Sequence, residues 1–329
     1  MQECFDFTLR PRPPFSWKLT ACKPAGWSLI NHEEVWKDGV LWSADRLGTG
    51  KPVGFKIWST GGTENAVVHC RVWSKGPLDR EEGAEARKII ETVIAVDQDL
   101  KPFYKFASKL PVLKQTVKDL YGMHYGRGVG NWPDAIIAIT LQMAPVKRSL
   151  QMLGAIVQNY GDKIAFDGKS LQIYPTPKQI LRVSEAELRE RCKLGYRAKF
   201  LLSVAKSFAK GEVPTPAELQ RMSAEEAITA LTSRLHGIGR YSAQVMIPHI
   251  TMSMAIDVWS VKIFAQLFSI KMTKPAREMI PVVEKWADKN LGQLKGLAFI
   301  YIMHDMPGLE KAFGIDLGTY YHPKEGERW

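Results

Sequence analysis

Cysteine is scarce and scattered in this chain. Cys4, Cys22, Cys70 and Cys192 lie far apart and form no CxxC pair, so neither a cysteine zinc site nor a four-cysteine iron–sulfur cluster is supported. Isolated reduced thiols fit a reducing compartment better than a disulfide framework. No stretch approaches the ~18 consecutive apolar residues of a membrane span, which excludes membrane partners. The first residues, Met1-Gln2-Glu3-Cys4-Phe5-Asp6, are acidic where a secretory signal would be basic and then apolar, so the expected location is cytoplasmic or nuclear, not secreted. There is also no repeat period, no low-complexity linker and no long lysine or arginine tail.

What is present is positive charge, spread evenly. Over 329 residues, 45 Lys and Arg against 34 Asp and Glu give a formal net charge of +11. That excess points to a polyanion, nucleic acid first, gripped by a basic surface that only folding assembles. A generically basic protein would show the same balance.

The chain divides by pattern. Residues 1–95 are β-rich. Gly39–Ala44, Val53–Trp58 and Ala66–Trp73 have the β-branched and aromatic content of strands, and Asp38-Gly39 is a hairpin turn. Short turns imply an antiparallel sheet, with a helix over 79–94 covering one face. Residues 96–329 are helical. Pro133, Thr176-Pro177 and Thr215-Pro216 mark helix starts, Ser184 with Glu187 and Thr215 with Glu218 have capping-box spacing, and helices are predicted near 275–289 and 293–305 before an irregular tail. The fold class is α+β, mainly α.

One stretch, about 223–268, organises the rest. Ser223 and Glu226 cap a short helix bearing Ala227, Ile228, Ala230, Leu231 and Leu235. Gly237-Ile238-Gly239 then forms a tight turn, a second helix runs from Arg240 to about Ile247, and Ala255-Ile256-Asp257-Val258 opens a third carrying Val258, Val261, Phe264, Ala265 and Phe268. Two glycines before a helix start expose bare N–H groups where the helix end is partly positive, so a phosphate can rest on backbone without any base being read. Gly-Ile-Gly also suits an ordinary interhelical turn. Asp257, 18 residues beyond Gly239, shifts the balance toward chemistry. A carboxylate at a helix start stabilises positive charge developing on a sugar as a glycosidic bond lengthens. The same side chain also suits a plain N-cap role, and the two roles are compatible.

Leu235, Gly237, Ile238, Gly239, Ala243, Asp257, Val258 and Val261 resemble the signature of the helix-hairpin-helix (HhH-GPD) DNA glycosylases. The closest likeness is to the 3-methyladenine (alkylated-base) type. His236 replaces the usual proline, and Pro248 falls late in the second helix. Gly195-Tyr196-Arg197-Ala198-Lys199-Phe200 is similar to a segment of the 8-oxoguanine branch, and the N-terminal antiparallel domain, with Val96-Asp97-Gln98-Asp99-Leu100 before Phe103-Tyr104, is similar in pattern to glycosylases of alkylated or oxidised purines. The resemblance implies a helical glycosylase core behind a β domain, acting as a monomer on double-stranded DNA that contains a damaged base. Asp257 is then catalytic, and Gly237, Ile238, Gly239 and Tyr241 lie at the DNA. Tyr241 stands where bifunctional relatives carry a Schiff-base lysine, which implies a monofunctional enzyme that uses water. Met143, beside Gln142, aligns with the residue that fills the gap left by a flipped base, although a core methionine at a helix start reads equally well. Tyr241, Val245, Trp259, Phe299 and Met303 would line the base pocket, while Val245 and Phe299 also suit ordinary core. Phe299 replaces a polar amide of the 8-oxoguanine branch, and aromatic walls favour cationic alkylated purines. Lys262, five residues past Asp257 on the same helix, reads as a surface or phosphate-facing charge. The resemblance implies no cofactor and no catalytic metal, with a monovalent cation on hairpin carbonyls left open. Excision of 8-oxoguanine or hypoxanthine, and non-catalytic DNA binding, are the alternatives.

Overall fold

The computed structural model describes residues 2–25, 28–126, 131–247 and 254–318. It is α+β and mainly α. Five strands, β1 (Gln2–Leu9), β2 (Val35–Lys37), β3 (Val40–Arg46), β4 (Pro52–Thr60) and β5 (Val67–Ser74), form one antiparallel sheet in the order β1-β5-β4-β3-β2. Three of these strands carry clear sequence signals. β1 and β2 were not among the expected strands; β1 is held by pairing across to β5, Gln2 opposite Ser74 through Leu9 opposite Val68. The Asp38-Gly39 turn joins β2 to β3 with both residues at positive φ (52° and 77°), as a tight hairpin demands.

Alternation gives the sheet two apolar faces. On one, Leu41, Val53, Phe55, Ile57, Val68, Cys70 and Val72 pack against Ala86 and Ile90 of the helix Arg80–Val93, whose cap is reciprocal between Asp79 and Glu82. The other face carries Trp42, Ala44 and Trp73 and receives a hairpin from the helical region, β6 (Asp162–Phe166) and β7 (Lys169–Ile173). This hairpin corrects the expectation of helices alone beyond Trp132. Its Asp167-Gly168 turn, at φ 44° and 68°, and the inward set Ile164, Phe166, Leu171 and Ile173 are strand signals hidden in a helical context. Asp167 pins it to the sheet by accepting the Trp42 indole N–H at 2.6 Å and pairing with Lys56 at 3.1 Å.

The helices form two further cores. One gathers buried side chains of residues 132–247. The other joins residues 100–125 to residues 254–317 and centres on Phe103, Phe264 and Tyr301. Expected starts recur as capping boxes at Asn131/Asp134, Thr176/Gln179, Thr215/Glu218 and Ser223/Glu226. Ser184 caps Glu187 N–H without the reciprocal bond. The region expected to be irregular after residue 305 begins with one more helix, Met306–Phe313, which Gly314 ends in the left-handed conformation. The helices Ala276–Leu291 and Lys295–His304 precede it.

Candidate active site

The hairpin consists of the helices Ala224–Arg234 and Arg240–Met246, followed by Val258–Leu267. Gly237 is obligatory in its turn. Its φ is +99°, and an added Cβ would lie 2.5 Å from the Phe200 ring. Gly239 differs: it is the extended N-cap of the second helix, nothing lies within 4 Å of its missing Cβ, and no side chain caps the amides behind it. The Ile238 side chain is buried in the core, and its N–H donates to Leu235 O at 3.0 Å within the turn. The second helix stops at Met246, with Ile247 extended as the residue before a proline should be; Pro248 itself lies outside the described residues.

Asp257 caps the third helix, and that helix starts one residue later than Asp257, at Val258. Its Oδ1 accepts the N–H groups of Trp259 (3.1 Å) and Ser260 (2.8 Å) and the Ser260 hydroxyl (2.9 Å). Ser260 Oγ accepts the Asp257 N–H in return at 2.8 Å. All the hydrogen bonds that the carboxylate receives from the described residues fall on Oδ1, so the capping role leaves Oδ2 uncommitted among them. Val258, expected in the core, is 44% exposed at the first helical position, because the buried face begins a turn later at Val261 and Phe264. Lys262, four residues on from Val258, is exposed on the same helical face.

Asp257 lines a pocket of about 170 Å³ together with Tyr241, Val245, Trp259, Phe299 and Met303. Tyr241 and Val245 share one helical face at i, i+4, as do Phe299 and Met303 on the helix Lys295–His304. Phe299 stacks on Phe264 at 5.9 Å between centroids, which ties the pocket wall to the core beneath it. The pocket therefore opens between the two helical cores and is on the scale of one flat ring system. Ala25, Tyr125, Asp134 and His304 also line it, and the sequence reading missed all four. They come from segments far from the hairpin, so no local pattern points to them. His304 Nδ1 accepts the Ala25 N–H at 3.2 Å, which in a neutral ring places the proton on Nε2. A larger cavity, about 580 Å³, lies elsewhere, beside Glu85, Trp132 and Tyr174. It contains none of the hairpin residues, and its size does not outweigh the grouping of Asp257 with aromatic walls.

Gln142 and Met143 form the turn after the helix Trp132–Leu141. Met143 is 90% exposed with φ +47°, so it is not a core methionine but an apolar side chain thrust into solvent. Gln142 faces the hairpin instead. Its amide N–H donates to Gly237 O at 2.7 Å and to Ser242 Oγ at 3.2 Å. Buried Arg197 holds the same turn, donating from Nε (3.0 Å) and from an Nη to Gln142 O. That is the task of the Tyr196-Arg197 segment, and sequence alone placed it only near the hairpin. Among the described residues no group of His, Cys, Asp and Glu is arranged to hold a metal ion.

No family model matches the chain. A DNA-3-methyladenine glycosylase of Bacillus subtilis (strain 168) is 25% identical over 175 residues, covering 52% of this chain and 56% of that protein. The match thus spans about half the length of that relative. A solved 3-methyladenine DNA glycosylase from Archaeoglobus fulgidus superposes with a TM-score of 0.69 at 21% identity, covering 94% of this chain and all of the other. An 8-oxoguanine glycosylase/lyase of Clostridium acetobutylicum, in its apo form, superposes at 0.64 with 16% identity over 92% and 97% of the two chains. The fold is that of the helix-hairpin-helix DNA glycosylases.

Proposed function

We propose that this helix-hairpin-helix chain is a monofunctional DNA glycosylase that flips out alkylated purines and hydrolyses their N-glycosidic bond to leave an abasic site. The observation that carries the proposal is Asp257, a helix-capping carboxylate with one oxygen bonded to the helix start, set in a small pocket walled by Tyr241, Trp259 and Phe299. An extruded base stacks between aromatic faces, most favourably when alkylation has given it positive charge. The Asp257 carboxylate stabilises the oxocarbenium-like sugar as the base departs, and it orients water for attack. Met143 fills the vacated position in the duplex, and the bare amides at Gly239 take a phosphate. Tyr241 cannot form an imine with the sugar, so no strand cleavage follows base release. The similarity to 3-methyladenine glycosylases supports the alkylated-base reading. One observation keeps a second lesion class in view: the same fold serves an 8-oxoguanine glycosylase/lyase. Phe299, apolar and stacked on Phe264, speaks against strict 8-oxoguanine recognition.

Duplexes that each hold one defined lesion test the proposal. The protein should release an alkylated purine, leave the strand intact and resist borohydride trapping. Asp257→Asn should keep damaged-duplex binding and lose at least about a hundredfold in release. Release by this variant at the wild-type rate would overturn the assignment and leave non-catalytic DNA binding as the reading.

A further inference from the structure

A buried serine at position 260 has no packing reason. It lies on the first turn of the helix Val258–Leu267, 1% exposed, among the buried residues Val261, Ile263, Phe264 and Ala265. Burying a hydroxyl there costs stability unless it is bonded, and an apolar side chain would carry no such cost. Among the described residues, every hydrogen bond of this hydroxyl goes to Asp257. Ser260 Oγ accepts the Asp257 N–H at 2.8 Å, and its single proton faces Asp257 Oδ1 at 2.9 Å and Asp257 O at 3.1 Å. The nearer acceptor carries the negative charge, so the proton goes to Oδ1.

Capping explains only part of this. At Thr215 and Ser223 the hydroxyl is the N-cap and an acid follows three residues later, so that Thr215 Oγ1 donates to Glu218 at 2.8 Å. At residues 257 and 260 the order is reversed. The carboxylate stands at the helix mouth, and both residues border the pocket. Two backbone N–H groups, those of Trp259 and Ser260, already cap the helix through Oδ1. They do not by themselves fix the plane of the carboxyl group, because its terminal torsion is broad and roughly two-fold. A third donor, reaching the same oxygen from a side chain, narrows that torsion. Oδ2 meanwhile accepts no hydrogen bond from the described residues.

We propose that Ser260 is a positioning residue for base release, its hydroxyl holding the Asp257 carboxylate in the orientation that presents Oδ2 to the sugar. This role rests on the glycosylase reading above, and Ser260 acts through Asp257 alone. Without the hydroxyl the carboxylate keeps its charge and its two backbone donors. It then rotates over a wider range, and fewer bound complexes have it aligned with the sugar.

Single-turnover release of 7-methylguanine from a duplex holding one such base, corrected for spontaneous loss, is to be measured for wild type, Ser260→Ala, Asp257→Asn and the double variant. Ser260→Ala should release the base about tenfold more slowly at saturating protein. Its dissociation constant for a duplex holding a non-cleavable abasic analogue should stay at the wild-type value. In the Asp257→Asn background the same substitution should change release by less than about twofold, since no carboxylate is left to position. Ser260→Thr, which keeps the hydroxyl, should recover most of the rate. Release by Ser260→Ala at the wild-type rate would overturn the inference. So would a loss of equal size in both backgrounds, or one that appears in binding and not in rate, because a merely structural role produces either. If instead the wild type releases no base, or Asp257→Asn releases it at the wild-type rate, the glycosylase reading itself fails and takes the role of Ser260 with it.

Discussion

Ser223 and Asp257 each cap the helix that follows them through their own side chains, and the turn at Gly237 to Gly239 is specified within three residues. The N-terminal sheet is assembled differently. Gln2 finds Ser74, and the β6–β7 hairpin crosses from the helical region to cover Trp42 and Trp73. The hairpin thus carries its instructions locally, whereas the sheet depends on partners that the chain brings from far away. Helical hydrogen bonds close over four residues, and strand hydrogen bonds close over any distance. The comparison predicts that damage to the sheet costs stability, and that damage near the hairpin costs function first.

The largest expected effect lies in the sheet. Phe166 is buried against Trp73, and its ring would stand 2.6 Å from a Cβ placed at Gly54. Phe166→Ala should lose about 3–5 kcal/mol of unfolding free energy in urea, while base release per folded molecule stays at the wild-type rate. A fall in release that stability does not explain would break the contrast between the two regions.

Next come the two glycines of the turn. Gly237→Ala places a Cβ into Phe200 at an unfavourable φ and should cost about 1–3 kcal/mol. Gly239→Ala faces open space, so calorimetry should find a cost under about 1 kcal/mol. Its effect should appear as weaker binding to undamaged duplex, because a methyl group then sits beside the phosphate-facing amides. Equal stability losses at both positions would show that the turn is not built as described.

Met143→Ala sharpens the functional side. The side chain touches almost nothing in the folded protein, so the thermal midpoint should not move. Single-turnover release should still fall about tenfold as the wedge is lost.

A different measurement, the pH dependence of stability, concerns the core that joins residues 100–125 to residues 254–317. Burial, with Asp119 nearby, pushes the Asp305 carboxyl up to about 8. The folded state then holds a proton that the unfolded chain releases near pH 4, so stability should decline as pH rises from about 4 to about 8. Asp305→Asn should flatten that slope in denaturation curves taken at several pH values. An unchanged slope would remove Asp305 as its source.

The candidate pocket residues came from the family resemblance, and the structure brings them together. Tyr241 with Val245 and Phe299 with Met303 are i, i+4 pairs on apolar helices, and Asp257 stands at a helix start. Asp134, Tyr125, Ala25 and His304 were not legible, since each joins the pocket through tertiary packing. The β6–β7 hairpin was half visible. Asp167-Gly168 is a turn signal, but five-residue strands between helices give too short an alternation to outweigh their surroundings. The exposure of Val258 and the burial of Ile238 both depended on which side of the hairpin the core occupies.

The sequence by itself determined the helix starts, the glycine turn, the acid that follows it and the excess of positive charge, because each acts through bonds or fields that reach only a few residues or need no partner at all. Only the tertiary structure decided that β1 closes the sheet, that Arg197 grips the turn before Met143, and that two carboxylates share one small pocket. Those outcomes depend on surfaces meeting across long stretches of chain, where the loss of conformational freedom is recovered only once the whole core has packed.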